Sequence, residues 1–320
     1  MIDAEKLRKL RELITEGLRV QQGGEAISYI NVGHALEDAC AKANHTIFAR
    51  RGCGKTLLLQ ASRGQLKQEL RSVYLNCEDF KQHTFPNVLI EILKALFREI
   101  DRNLSGWFGK KARTKAIVKQ ILERLTRMHQ SPDVHKEQVK ETVAKESGKK
   151  ISAELSGELS HIKAKLGTEG SSRSATNTER SFEQHREKLQ ELDLWLPELK
   201  QNLREFFEIS TNVRGIFLQI DDLYHLRRAD QAFIVDYIHR LCKDVPLFFK
   251  IATIRHASSL YLARKGQPIG AQERHDYQPI NIDYTFSDFA RTESQNWQIL
   301  REYGRRAELS EFELKTLFKG

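Results

Sequence analysis

Two stretches of this 320-residue chain carry side chains whose types and spacing could do chemistry. The first is His45-Thr46-Ile47-Phe48-Ala49-Arg50-Arg51-Gly52-Cys53-Gly54-Lys55-Thr56, followed by Leu57-Leu58-Leu59. A short strand-like run breaks into a glycine-rich turn and then into helix formers, the order a phosphate-binding loop requires. Gly52 and Gly54 let the backbone bend so that successive N–H groups point inward, and the positive end of the following helix adds to that anion site. Lys55 would reach the outer phosphates of a nucleotide and Thr56 would hold Mg2+. Ala49 stands where the general pattern has its first glycine; the alternative is a chance Gly-Lys-Thr at a surface turn.

The second stretch weighs against chance. Gly215-Ile216-Phe217-Leu218-Gln219-Ile220-Asp221-Asp222-Leu223 is an apolar strand ending in two carboxylates. In a parallel sheet the carboxyl ends of neighbouring strands lie together, so Asp221 can face the Mg2+ beside Thr56 while Asp222 lies near a γ-phosphate. Paired acids at a strand end also serve as helix caps.

The elements that must position these groups follow an α/β pattern, with a parallel sheet expected. Asp3 to Val20 has helical spacing at Leu7, Leu10, Ile14 and Leu18. Ser28 to His34 leads into a helix with Leu36, Ala39 and Ala43; either Val32-Gly33 approaches an adenine ring, with Tyr29 or Val32 on its face, or this is an ordinary turn before a helix. Leu57 to Leu70 reads as a helix and Arg71 to Phe80 as a strand ending in polar residues. Thr84 to Leu104 is a helix, and Leu196 to Phe207 another. Pro246 to Thr253 is a strand followed by Ile254-Arg255-His256, where a cation could sense the γ-phosphate. Tyr277 to Tyr284 is a fifth candidate strand, preceded by Arg274, which is either an arginine finger acting on a neighbouring subunit or a surface ion pair.

Composition narrows the rest. The net charge of +9 points to an acidic partner, nucleic acid first, although solvated helices also carry such charge. No apolar run reaches the roughly 18 residues of a membrane span, and the first residues do not read as a signal peptide, so a cytoplasmic protein is expected. Four cysteines without metal-ligand spacing indicate neither zinc nor a disulfide framework and are expected as reduced thiols. Between residues 105 and 194 the character changes: Lys110, Lys111, Arg113, Lys115, Lys119, Arg124 and Arg127 form a basic helix, residues 151–166 alternate as two hairpin strands would or continue as helix, and residues 167–181 are polar enough for disorder. This region reads as an insertion projecting from the core, either a partner or nucleic-acid contact or a solvated helical hairpin.

The order of strand, GxxGxGKT-like loop, strand ending in Asn76, acidic strand end and strand ending in a polar residue resembles an AAA+-class P-loop ATPase. Within that class it is most similar to origin-recognition initiator-like ATPases and to the related STAND switch ATPases, through Val32-Gly33, Asp221-Asp222 and Thr253-Ile254-Arg255. The resemblance covers residues 28–104 and 201–289. It implies a five-stranded sheet in the order five-one-four-three-two, with ATP held by Val32, Gly33, Arg51, Gly52, Cys53, Gly54, Lys55, Thr56 and Leu57. It implies Mg2+ on Thr56 and Asp221, and catalytic roles for Asp222, for Arg255 as first sensor, for Asn76 as a polar switch on the catalytic acid, and for Arg274. Asp222 is one methylene shorter than the usual glutamate, which suits a slow switch more than a motor. The expected organisation is an N-terminal helix (1–27), a core in two parts (28–104 and 195–284) around the insertion, and a partial helical lid (285–320).

Three functions then compete: a regulatory ATPase that remodels a DNA or nucleoprotein complex, a nucleotide-gated switch in signalling or bacterial defence whose ATP binding drives homo-oligomerisation, and a nucleotide-binding scaffold with little turnover. An ATP-hydrolysing switch, assembling with itself or with a partner protein, is the preferred expectation.

Overall fold

The computed structural model describes residues 3–17, 29–31, 33–83, 85–103, 110–130, 188–210, 212–263, 268–284 and 288–318. The expected hairpin at 151–166, the polar run at 167–181 and Val32 lie outside them. The chain forms two compact units, Met1–Gln82 with Arg204–Gly320, and His83–Leu203.

The first unit is built on strands β1 (His45–Phe48), β2 (Leu70–Asn76), β3 (Gly215–Asp221), β4 (Leu247–Thr253) and β7 (Gln278–Asn281). They form one five-stranded sheet in the order β2-β3-β4-β1-β7, every neighbouring pair parallel. Taken from β7, this is the five-one-four-three-two order expected above. Central strands of a parallel sheet are covered on both faces, which is why β1 and β3 are buried along their whole length. A separate two-stranded ribbon pairs β5 (Tyr261–Leu262) with β6 (Ile269–Gly270).

Helices α2 (Ala35–Cys40) and α3 (Lys55–Gly64) cover β1, β4 and β7 through Ala35, Leu36, Ala39, Leu58 and Leu59, which pack with Ile47, Ala252 and Ile280. The register explains the cluster: Ile47 lies level with Ala252 on one side and Ile280 on the other, so all three face the same way. Helix α7 (Arg228–Cys242) packs against β4 and the ribbon. A satellite cluster of Leu10, Tyr303, Ala307, Leu309 and Leu314 joins α1 (Ala4–Gly17) to α8 (Phe289–Arg306) and α9 (Glu311–Leu317). The start of α8 is fixed by the Asp288 carboxylate accepting from the Arg291 N–H, and that of α9 by a reciprocal Ser310 and Glu313 capping box.

The second unit contains α4 (Asn87–Asn103), α5 (Lys110–Gln130) and residues 188–203 of a helix, α6, that runs over 188–209. Sequence spacing assigns α4 to the first half of the core, whereas its contacts group it with α5. The cause is legible in α5: Val118, Ile121, Leu125 and Met128 form a helical-period apolar stripe that is buried, and α4 packs along α5. Arg124 reaches α6, bonding Glu191 at 3.1 Å and lying 4.2 Å over the Trp195 ring.

Candidate functional site

The loop between β1 and α3 is shaped by two left-handed glycines. Gly52 has φ 80° and Gly54 φ 83°, and nothing lies within 4 Å of where a Cβ would stand on either. The need for glycine here is therefore conformational rather than steric crowding, and it leaves open space on the loop's concave side. Gly54 is also the N-cap of α3, with the Leu58 N–H bonded to its carbonyl at 2.9 Å, so the positive end of α3 opens into the loop. Lys55 is buried, and its ammonium donates to the Arg50 carbonyl at 3.1 Å. The loop is anchored at its base by Arg50, whose guanidinium pairs with Asp283 just beyond β7 at 2.5 and 3.1 Å.

Beside the loop stands the end of β3. Asp221 is 1 % exposed and level with Asn76 on β2. Its carboxylate accepts from the Tyr74 phenol at 2.8 Å and from the Asp222 N–H at 2.9 Å. Burial pushes its pKa up, and the hydrogen-bonding Thr56 hydroxyl works against that rise. Thr56 and Asp221 thus meet, as the two motifs required. A desolvated carboxylate beside a hydroxyl favours a bound cation, which would restore the charge balance that burial disturbs. Open glycine space, a positive helix end, Lys55 and this acid-hydroxyl pair fit an anionic phosphate chain with a divalent cation; Lys55 and the loop N–H groups would hold the phosphates, Thr56 and Asp221 the cation.

The next residues bend sharply. Asp222 is left-handed, with φ 52° and ψ 44°, and opens the turn Leu223–His225. Tyr224 in that turn faces the loop, its ring 5.1 Å from the Arg51 guanidinium carbon and 5.7 Å from the Lys55 ammonium. Burial and the Asp222 carboxylate raise the Tyr224 pKa while Arg51 opposes them. The turn is held by the fully buried Gln231, whose amide donates to the Leu223 and Leu226 carbonyls at 3.3 and 3.0 Å and accepts from the Ser259 N–H at 2.8 Å.

The other expected residues are placed as follows. Asn76 ends β2 and its side-chain oxygen caps the next turn, accepting from the Glu78 N–H at 2.9 Å. Arg255 follows β4 at the same carboxyl edge; its guanidinium bonds Glu273 at 2.6 Å and Asn281 at 3.3 Å and lies 4.0 Å over Phe48. Arg274 is exposed at φ 68° in the turn before β7, its N–H bonded to the Tyr277 carbonyl at 2.8 Å. Gly33 is left-handed at φ 75°, with the Tyr284 hydroxyl 3.7 Å and the Arg291 guanidinium 3.9 Å from its Cβ position. Arg291 stacks over Tyr284 at 4.8 Å, and burial, then Tyr284, raises the pKa of Tyr29. Cys53 and Leu57 are half-buried, and burial, then Asp283, pushes the Cys53 thiol up.

Sequence reasoning missed Tyr74, Tyr224 and Asp283. Tyr74 had one available signal, since alternation along β2 puts it on the same face as Asn76 next to the acidic strand. No protein-family model matches the chain, nor does any curated protein or solved structure.

Proposed function

We propose that the chain is an ATP-binding, ATP-hydrolysing regulatory switch of the AAA+ type that assembles into oligomers and acts on DNA or a nucleoprotein complex, or in bacterial defence. The observation that carries the nucleotide half is the meeting of Thr56 and Asp221 beside a loop opened by two left-handed glycines. In this reading Lys55 binds the outer phosphates, Thr56 and Asp221 hold Mg2+, Asp222 orients the attacking water, and Arg255 responds to the γ-phosphate after leaving Glu273. The excess of 52 basic over 43 acidic residues supports an anionic partner.

The test is phosphate release from ATP by the purified chain and its Asp222→Asn variant, beside direct nucleotide binding. The side-chain amide of that variant cannot accept a proton as a carboxylate does, so turnover is expected to fall about 100-fold with nucleotide affinity unchanged. A wild-type chain that binds no ATP overturns the reading. A second reading, a STAND-like switch or scaffold with little turnover, is favoured by Asp222, which is short, left-handed and faces Tyr224. Tight ATP binding with no phosphate release from the wild type would select it.

A further inference from the structure

We propose that the solvent-facing side of α5 binds the phosphate backbone of duplex nucleic acid. The helix gathers positive charge on one exposed face. Its first turn contains Lys110, Lys111 and Arg113 and no acid, so its cations sit at the positive end of the helix dipole. Lys111, Lys115 and Lys119 follow at four-residue intervals, a like-charge spacing that destabilises an isolated helix. The exposed face carries Arg113, Lys115, Lys119 and Arg127 against the single acid Glu123. None of these four cations has an ion-pair partner among the described residues.

Several cations on the other helices are compensated. Lys94 and Arg102 on α4 pair with Glu91 and Glu99, Arg240 on α7 with Asp236, and Arg301, Arg305 and Arg306 on α8 with Glu311 and Glu302. Four like charges along one helix face, with no compensating contact among the described residues, mark a surface shaped for something else. The required partner supplies closely spaced negative charge. From Arg113 to Arg127 the helix rises about 21 Å, about six phosphate steps along one duplex strand.

The same helix argues against other anionic partners. A membrane-surface helix needs an apolar side to bury in lipid, and the apolar side of α5 is already packed, with Val118, Ile121 and Leu125 at most 2 % exposed. Single-stranded nucleic acid is gripped by stacking on aromatic rings, and α5 contains no Phe, Tyr or Trp. The proposal rests on the DNA-directed half of the function above and needs no nucleotide.

The experiment is fluorescence anisotropy of a labelled 30-base-pair duplex with the full chain, without ATP, from 50 to 250 mM KCl. It compares wild type, the triple variant Lys115→Gln, Lys119→Gln and Arg127→Gln, and a charge-matched control, Arg8→Gln, Arg11→Gln and Arg63→Gln. Wild type is expected to bind, the α5 variant to lose at least about tenfold at 100 mM, and its slope of log affinity against log salt to be shallower by about 2 to 3, at roughly 0.9 per lost phosphate contact. The control should lose less than about threefold. Because the substitutions remove like-charge repulsion, the thermal midpoint should hold or rise. No duplex binding by wild type, equal losses in variant and control, a lowered midpoint, or binding to phosphatidylserine vesicles in place of duplex would each overturn the proposal. ATP affinity, measured in parallel, should be the same in all three proteins, so failure of the nucleotide site and failure of this surface are read separately.

Discussion

The first unit buries two lysines, one at the start of α3 and one in the middle of β4, and they are held in opposite ways. Lys55, at the carboxyl edge, donates to one loop carbonyl, that of Arg50, beside open space lined by glycine. Lys250, on β4, is fully buried, 2.7 Å from the Ala41 carbonyl, 2.9 Å from His45 Nδ1 and 3.4 Å from the Asp38 carbonyl, with the Phe217 ring 4.8 Å away. Burial lowers its pKa to about 7, and burial together with Lys250 lowers that of His45 to about 4. Lys250 satisfies the carbonyls that end α2 and thereby fixes the helix leading to β1. Lys55, with one carbonyl acceptor, would have donors left for the phosphates of the proposed nucleotide. Burial alone does not separate a structural lysine from a binding one; the number of internal acceptors does.

The largest effect expected from this contrast is on stability. Lys250→Ala leaves a cavity and takes one donor from each of the Asp38 and Ala41 carbonyls, which keep the Ala41 and Ala43 N–H groups at 3.1 and 2.8 Å, so urea unfolding should show a loss of about 3 kcal/mol, most of it from the cavity. Lys55→Ala should reverse the pattern: ATP affinity falls about 30-fold, or about 2 kcal/mol, while stability changes by less than about 1 kcal/mol. Equal unfolding losses in the two variants would erase the distinction.

The pH dependence sharpens it. An unfolded lysine keeps its proton up to its ordinary value of 10.5, whereas folded Lys250 releases it near 7, so stability rises with pH across that window. His45 is neutral in the fold, and its contribution is lost as pH falls from 6.5 towards about 4. Urea midpoints should therefore climb between pH 7 and 9 in wild type. They should stay flat there in Lys250→Ala and climb unchanged in Lys55→Ala. The smallest effect is at Gly54: with open space around it, Gly54→Ala should cost only the left-handed backbone penalty, about 1 to 2 kcal/mol, and a larger loss would mean the loop is packed more tightly than its geometry implies.

The loop, the acidic strand end and the parallel α/β sheet were legible because each leaves a local mark: glycines at fixed offsets, an apolar run ending in acids, and alternating strands and helices; the strand order came only from what the family resemblance implies. Lys250 was not, because its partners are backbone carbonyls, which leave no trace in residue types. Asp283 escaped for a related reason: its partner Arg50 lies 233 positions away, and neither residue is unusual in its own neighbourhood. Tyr224 was hidden in a turn whose direction depends on the left-handed Asp222. The grouping of α4 with α5 left no local mark, since an apolar helix face does not state which surface will cover it.

The position of β1 in the sheet governs when the phosphate loop can exist during synthesis. Both neighbours of β1 come late: Asn44, just before it, bonds the Phe249 N–H, 205 positions on, and the Asp276 carbonyl, 232 positions on. A nascent chain that has emerged only through α3 carries the whole glycine motif yet has no β4 or β7 to hold it. If the loop binds nucleotide as proposed, the contacts of Asn44 mean that a ligand would protect the finished fold but not a half-made one.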